Sequence, residues 1–166
     1  MGMEGIQQPD DLVFKINQAF EKLGVNARWK KAPKIPEGCE SLKDKTIVMV
    51  DDMIGVLEQF APYLIVATEG KTSLIHYKSQ SLEQLVDQIL ENNPNLVLMD
   101  YNLSESLKGS DVIKVLKEKS YEGDSFGFSS DPDTTRDFEE AGATGSVKKE
   151  AGFPQSIIQE LSSKIA

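Results

Sequence analysis

Apolar positions along the chain follow two different periods. Residues 46–50, TIVMV, are a continuous run suited to a buried strand, and NLVLMD (95–100) is a second. TSLIHY (72–77), SFGFSS (125–130) and TGSVKK (144–149) are further short stretches of strand type. Between them the apolar residues recur at helical spacing. MIGVLEQFAPYLIV is amphipathic, with Pro62 expected to kink or shorten the helix. After a turn at EGK (69–71), SLEQLVDQILENN opens on Ser81 as its cap and carries Leu82, Leu85, Val86, Ile89 and Leu90. Residues 109–119 turn Val112, Ile113, Val115 and Leu116 inward, residues 133–141 form a short helix, and Pro154 sits in the first turn of a last helix over 154–165.

Five strand–helix units in succession predict an α/β fold, a doubly wound five-stranded parallel sheet covered on both faces. Crossovers are expected to be right-handed. This region spans residues 44–166. Ahead of it, residues 1–43 form an N-terminal helix and a linker. Leu12, Val13, Ile16, Ala19, Phe20 and Leu23 mark the helix, Asp10 or Asp11 caps it after Pro9, and Gly24 ends it. Pro33, Pro36 and Gly38 in NARWKKAPKIPEGCE break any continuation. The helical stripe is expected to pack against the second part, as is Trp29 of the linker.

Charge divides along the same boundary. Residues 1–43 hold seven basic and six acidic residues, whereas residues 44–166 hold 11 and 21. The net charge of −9 argues against a nucleic-acid or anionic-membrane partner, since phosphate surfaces attract basic proteins. No apolar run is long enough to span a bilayer. The start, MGMEGIQQPDD, has neither a secretory pattern nor a complete myristoylation motif, and Met1 and Gly2 read as a cloning remnant. Cys39 is the sole cysteine, so no internal disulfide forms. A cytoplasmic location is expected.

In doubly wound sheets the chemistry gathers at the carboxyl ends of the strands. The first strand ends on Asp51 and Asp52, the third on Asp100, the fourth on Ser129 and Ser130, the fifth on Lys148 and Lys149. Asp51 and Asp52 taken alone also suit a helix start. Three converging carboxylates cannot all remain ionised cheaply without a cation. Mg²⁺ fits, being a hard ion that takes oxygen ligands and keeps room for phosphate. Lysine adds positive charge, and a serine hydroxyl donates to an anion. His76, the one histidine, is placed in the second strand, outside this constellation.

Together VMVDDM, LVLMDYNL, GFSSD and GATGSVKKE resemble the receiver domain of two-component response regulators, over residues 45–166. The resemblance implies a flavodoxin-like (βα)5 receiver fold. It implies that Asp100 accepts a phosphoryl group from a histidine kinase or histidine phosphotransfer protein. It implies that Asp51 and Asp52 hold Mg²⁺ with Asp100, aided by the backbone carbonyl of Asn102. Ser129 takes the place of the hydroxyl residue that contacts the phosphoryl group, Lys149 that of its lysine partner, and small Ser130 leaves the group accessible. Activity beyond self-catalysed phosphotransfer and autodephosphorylation is not implied. Output is expected through a downstream protein target or a relay, with a dimer possible.

The chain departs from that pattern at three places. Glu150 follows Lys149 where the family often has proline, and Ser146 replaces the coupling aromatic of the fifth strand. The loop SESLKG (104–109) lacks the family's frequent proline. Ser146 and Glu150 keep a phosphate-independent interaction module as the alternative. An aspartyl phosphatase of the haloacid-dehalogenase type fits less well, because the run DYNL lacks a second acid two residues after Asp100.

Overall fold

The computed structural model describes residues 9–150 and 152–165. Met1, Gly2 and the side chain of the candidate cap Asp10 lie outside this description. The first helix, α1 (Pro9–Lys22), opens at the proline itself. A single 3-10 turn (Glu40–Leu42) leads into the alternating region. There follow β1 (Ile47–Asp51), α2 (Ile54–Ala67), β2 (Thr72–His76), α3 (Leu82–Glu91), β3 (Leu96–Asp100), α4 (Gly109–Glu118), β4 (Asp124–Ser129), α5 (Thr134–Ala141), β5 (Gly145–Lys148) and α6 (Gln155–Lys164).

All five strands are parallel, in the order β2-β1-β3-β4-β5. Alternation along each strand splits the core in two. Ile47, Met49, Leu96, Leu98, Phe126, Phe128 and Val147 face a cluster built with α1, α2 and α6. Val48, Val50, Val97 and Met99 face α3, α4 and α5. Every residue of β1 and β3 is buried, which explains why these two runs carry no polar alternation. The chain moves from β1 to one side and then crosses to β3 on the other. That reversal opens a crevice at the carboxyl ends of β1 and β3.

Pro62 does not shorten α2, which runs on to Ala67. Its missing N–H costs one helical bond, but Leu57, Phe60, Ala61, Leu64 and Ile65 are all buried on one face and hold the helix to the sheet. Ser81 caps α3 as its position suggests. Its Oγ accepts from Gln84 N–H at 3.1 Å, and its own N–H donates to Gln84 Oε1 at 2.9 Å. The N-terminal stripe is packed against the sheet region. Leu12, Ile16 and Phe20 are buried, and Ile16 and Phe20 share a cluster with Leu57 and Phe60. Asn17 fixes the linker to α1: its Oδ1 accepts from Trp29 N–H at 2.7 Å and its Nδ2 donates to Trp29 O at 3.0 Å. No helix among the described residues is long and apolar enough to cross a membrane.

Candidate functional site

The crevice is lined from β1, β3 and the end of β5. Asp51, the last residue of β1, is fully buried, and Asp100, the last of β3, is 5% exposed. Lys149 reaches in from beyond β5 and bridges them, with Nζ 2.9 Å from Asp51 Oδ2 and 2.8 Å from Asp100 Oδ1. The ammonium lies 5.0 Å from the centroid of the Phe128 ring, which meets Phe60 edge-on at 5.0 Å. This aromatic floor keeps the lysine stem in place and adds a cation–π contact. The neighbouring Lys148 points elsewhere, toward Glu150 at 4.0 Å.

Asp52 completes the acidic set. Carboxylate oxygens of Asp51, Asp52 and Asp100 lie within 4.8 Å of one another. The other oxygen of Asp51, Oδ1, accepts from Met53 N–H at 2.9 Å, turning the chain from β1 into α2. Burial pushes the Asp51 carboxyl up from its ordinary value, against the opposing pull of Lys149 and the Met53 N–H. Burial, reinforced by the charge of Asp51, pushes Asp100 up to about 7 although Lys149 pulls it down. For Lys149 burial works downward, but the two carboxylates outweigh it and hold the amine above its ordinary value. One ammonium thus serves two buried acids, with a third beside them. The donor set is all oxygen and short of positive charge, which suits a hard divalent cation such as Mg²⁺.

The remaining sequence candidates take other partners. Ser129 ends β4, its Oγ accepts from Asp131 N–H at 3.1 Å, and its carbonyl accepts from Lys149 N–H at 2.9 Å. Its hydroxyl therefore organises the loop into α5, while its backbone positions Lys149. Ser130 is exposed beside it. The Asn102 side chain accepts from Lys108 Nζ at 3.0 Å, across a short antiparallel bridge that closes the β3–α4 loop. That loop is drawn tight against the site: Gly109 N–H donates to Tyr101 O at 2.6 Å, and a Cβ at Gly109 would lie 1.9 Å from Asp100 O. The Lys149–Glu150 peptide is trans.

Two contributors were not legible in the sequence. His76 was expected outside the constellation, yet it pairs in register with Asp51, and its Nε2 lies 3.0 Å from Asp52 O. Its Nδ1 is buried without a hydrogen-bond partner among the described residues. The signal was strand order, since β2 lies next to β1 and both end at the crevice. Phe128, beneath Lys149, was read only as a strand residue.

This architecture is the receiver-domain fold of response regulators. The chain is similar to the chemotaxis response regulator CheY4 of Vibrio cholerae, with a TM-score of 0.56 and 14% identity over 72% of this chain and 97% of that one. It is similar to the BeF3-activated N-terminal receiver domain of RstA from Klebsiella pneumoniae, with a TM-score of 0.56 and 21% identity over 71% and 96% of the two chains. The receiver domain of NtrX from Brucella abortus matches with a TM-score of 0.55 and 20% identity over 72% and 99%. At these identities the likeness establishes the fold. No protein-family model and no curated protein matches the chain.

Proposed function

We propose that this protein is a phosphoacceptor receiver that takes a phosphoryl group onto Asp100 from a histidine kinase or histidine phosphotransfer protein and signals through a downstream protein. The observation that carries this reading is Lys149 Nζ bridging Asp51 and Asp100 at the strand ends, with Asp52 completing a three-carboxylate set. In the transfer step a carboxylate oxygen of Asp100 attacks phosphorus. An O–P bond forms, the P–N bond of the phosphohistidine breaks, and the imidazole leaves with the electron pair.

Asp51, Asp52 and Asp100, with the Asn102 carbonyl, are the groups that would hold Mg²⁺. Bound there, such an ion would supply positive charge for the phosphoryl oxygens and for the acids around them. Lys149, already paired with Asp51 and Asp100, supplies positive charge at the same site. It already touches Asp100, so it needs little displacement to pair with an oxygen of the new phosphoryl group. Ser129 contacts that group after its hydroxyl leaves the Asp131 amide. Small, exposed Ser130 leaves the approach open.

The test is intact mass after incubation with acetyl phosphate. With Mg²⁺, wild type is expected to gain about 80 Da, one phosphoryl group on a carboxylate nucleophile. Asp100→Asn is expected to gain nothing, as is wild type in EDTA. No adduct on wild type, even with a phosphodonor protein supplied, would instead favour a phosphate-independent interaction module.

A further inference from the structure

On β5, the position where receivers carry a coupling aromatic holds Ser146, whose hydroxyl donates to Thr135 Oγ1 at 3.3 Å. An aromatic ring is nevertheless placed between the acidic site and α5, from a different strand. Tyr101 follows Asp100 directly. Its ring meets Phe138 of α5 edge-on, with centroids 5.6 Å apart and an interplanar angle of 78°, and its hydroxyl donates to Asp137 Oδ2 of the same helix. Phe138 in turn fills the space above Gly127, where an added Cβ would lie 2.1 Å from the ring. One side chain, a single peptide bond from Asp100, thus holds α5 by a polar and an apolar contact together.

α5 has few other anchors. Of its residues only Thr134 and Phe138 are buried, while Arg136, Asp137, Glu139 and Glu140 are exposed. α2, by contrast, buries seven residues. Elements with few buried contacts open at the low end of the stability range and move first. The connection from Asp100 to Tyr101 has little slack, because Gly109 packs directly on both backbone carbonyls.

We propose that Tyr101 is the coupling residue of this protein, carrying a change at Asp100 to α5 through Asp137 and Phe138 in the role that Ser146 cannot fill. The inference rests on Asp100 as the phosphoacceptor. In the resting protein the Tyr101–Asp137 bond holds α5 against the sheet. A phosphoryl group on Asp100 adds negative charge and bulk one residue away, which weakens the hold on the Asp137 carboxylate, and α5 loosens. The output surface is then the solvent face of α5, exposed or re-aimed according to the state of Asp100.

Hydrogen exchange of residues 134–141, read by mass spectrometry with and without acetyl phosphate and Mg²⁺, tests this. Phosphorylated wild type is expected to exchange several-fold faster in α5 than resting wild type. Tyr101→Phe, which keeps the ring and removes the hydroxyl, is expected to exchange at the fast rate even at rest and to show no further change. Asp137→Ala is expected to match it. Exchange in α2 and the extent of phosphorylation by intact mass are expected to stay at wild-type values in both variants, which separates lost coupling from general loosening. Wild-type protection and response of α5 in Tyr101→Phe would overturn the inference alone. A wild type that takes no phosphoryl group would overturn the phosphoacceptor reading and this inference with it.

Discussion

Asp100 shares one ammonium group with Asp51, so at neutral pH two buried carboxylates compete for the charge of Lys149. The folded-state pKa of Asp100, about 7, lies above the roughly 3.9 of an unfolded aspartate. The native state therefore holds a proton that the unfolded chain has already shed. The associated stability is fully present below about pH 4 and is lost as pH rises through 7. Asp100→Asn removes the titrating group but keeps its shape. In metal-free buffer it is expected to raise the Tm by several degrees at pH 8 and to change it little at about pH 4, where the unfolded chain also retains much of its proton. Thermal melts at the two pH values check this, and an equal shift at both would place the strain elsewhere.

The elements around the site owe their positions to small residues at close approaches. β4 reads SFGFS because two phenylalanines point to one face while Gly127 leaves the other face free for Phe138. Gly127→Ala is expected to cost about 1–3 kcal/mol through overpacking against that ring. A shift of the urea midpoint at unchanged m-value is the check. Gly109 plays a similar part on the β3–α4 side, where its lack of a Cβ lets the loop close on Asp100. The open edge of the sheet is also managed by side chains. Lys148 N–H donates to Glu160 Oε1 at 2.9 Å, and Ser146 O accepts from Lys164 Nζ at 2.6 Å. This i,i+4 pair on α6 satisfies outward-facing backbone groups that would otherwise invite another strand.

The molecule joins its two sequence regions through one core. Ile16 and Phe20 of α1 are fully buried against α2, and Trp29 and Ile35 of the linker pack on the same cluster. Phe20→Ala is expected to cost about 3–5 kcal/mol, as for other fully buried aromatics. Because α1 shares the core, unfolding of this variant is expected to stay a single transition, with fluorescence and far-ultraviolet circular dichroism coinciding. Separate transitions would mean that α1 and its linker form a unit of their own.

Strand and helix order was legible along the chain because burial on both faces of a parallel sheet demands continuous apolar runs, and helices demand the 3.6-residue period. The same logic placed Asp51, Asp52, Asp100 and the pair Lys148 and Lys149 at strand ends, and the geometry brings Lys149 to the acids while Lys148 turns to Glu150. Pro62 does not shorten α2, because the local rule for proline ignores the buried face that holds the helix together. His76 beside Asp52, Phe128 beneath Lys149 and Tyr101 on Asp137 had no local signal at all. Each pairing joins residues far apart in the chain: 24 positions for His76 with Asp52 and 36 for Tyr101 with Asp137. Hydrophobic period fixes which face a residue takes, but its neighbour across the sheet depends on strand order and register. Those are set by the packing of the whole chain, which is also what turned the Ser129 hydroxyl to the Asp131 amide and placed α1 in the core.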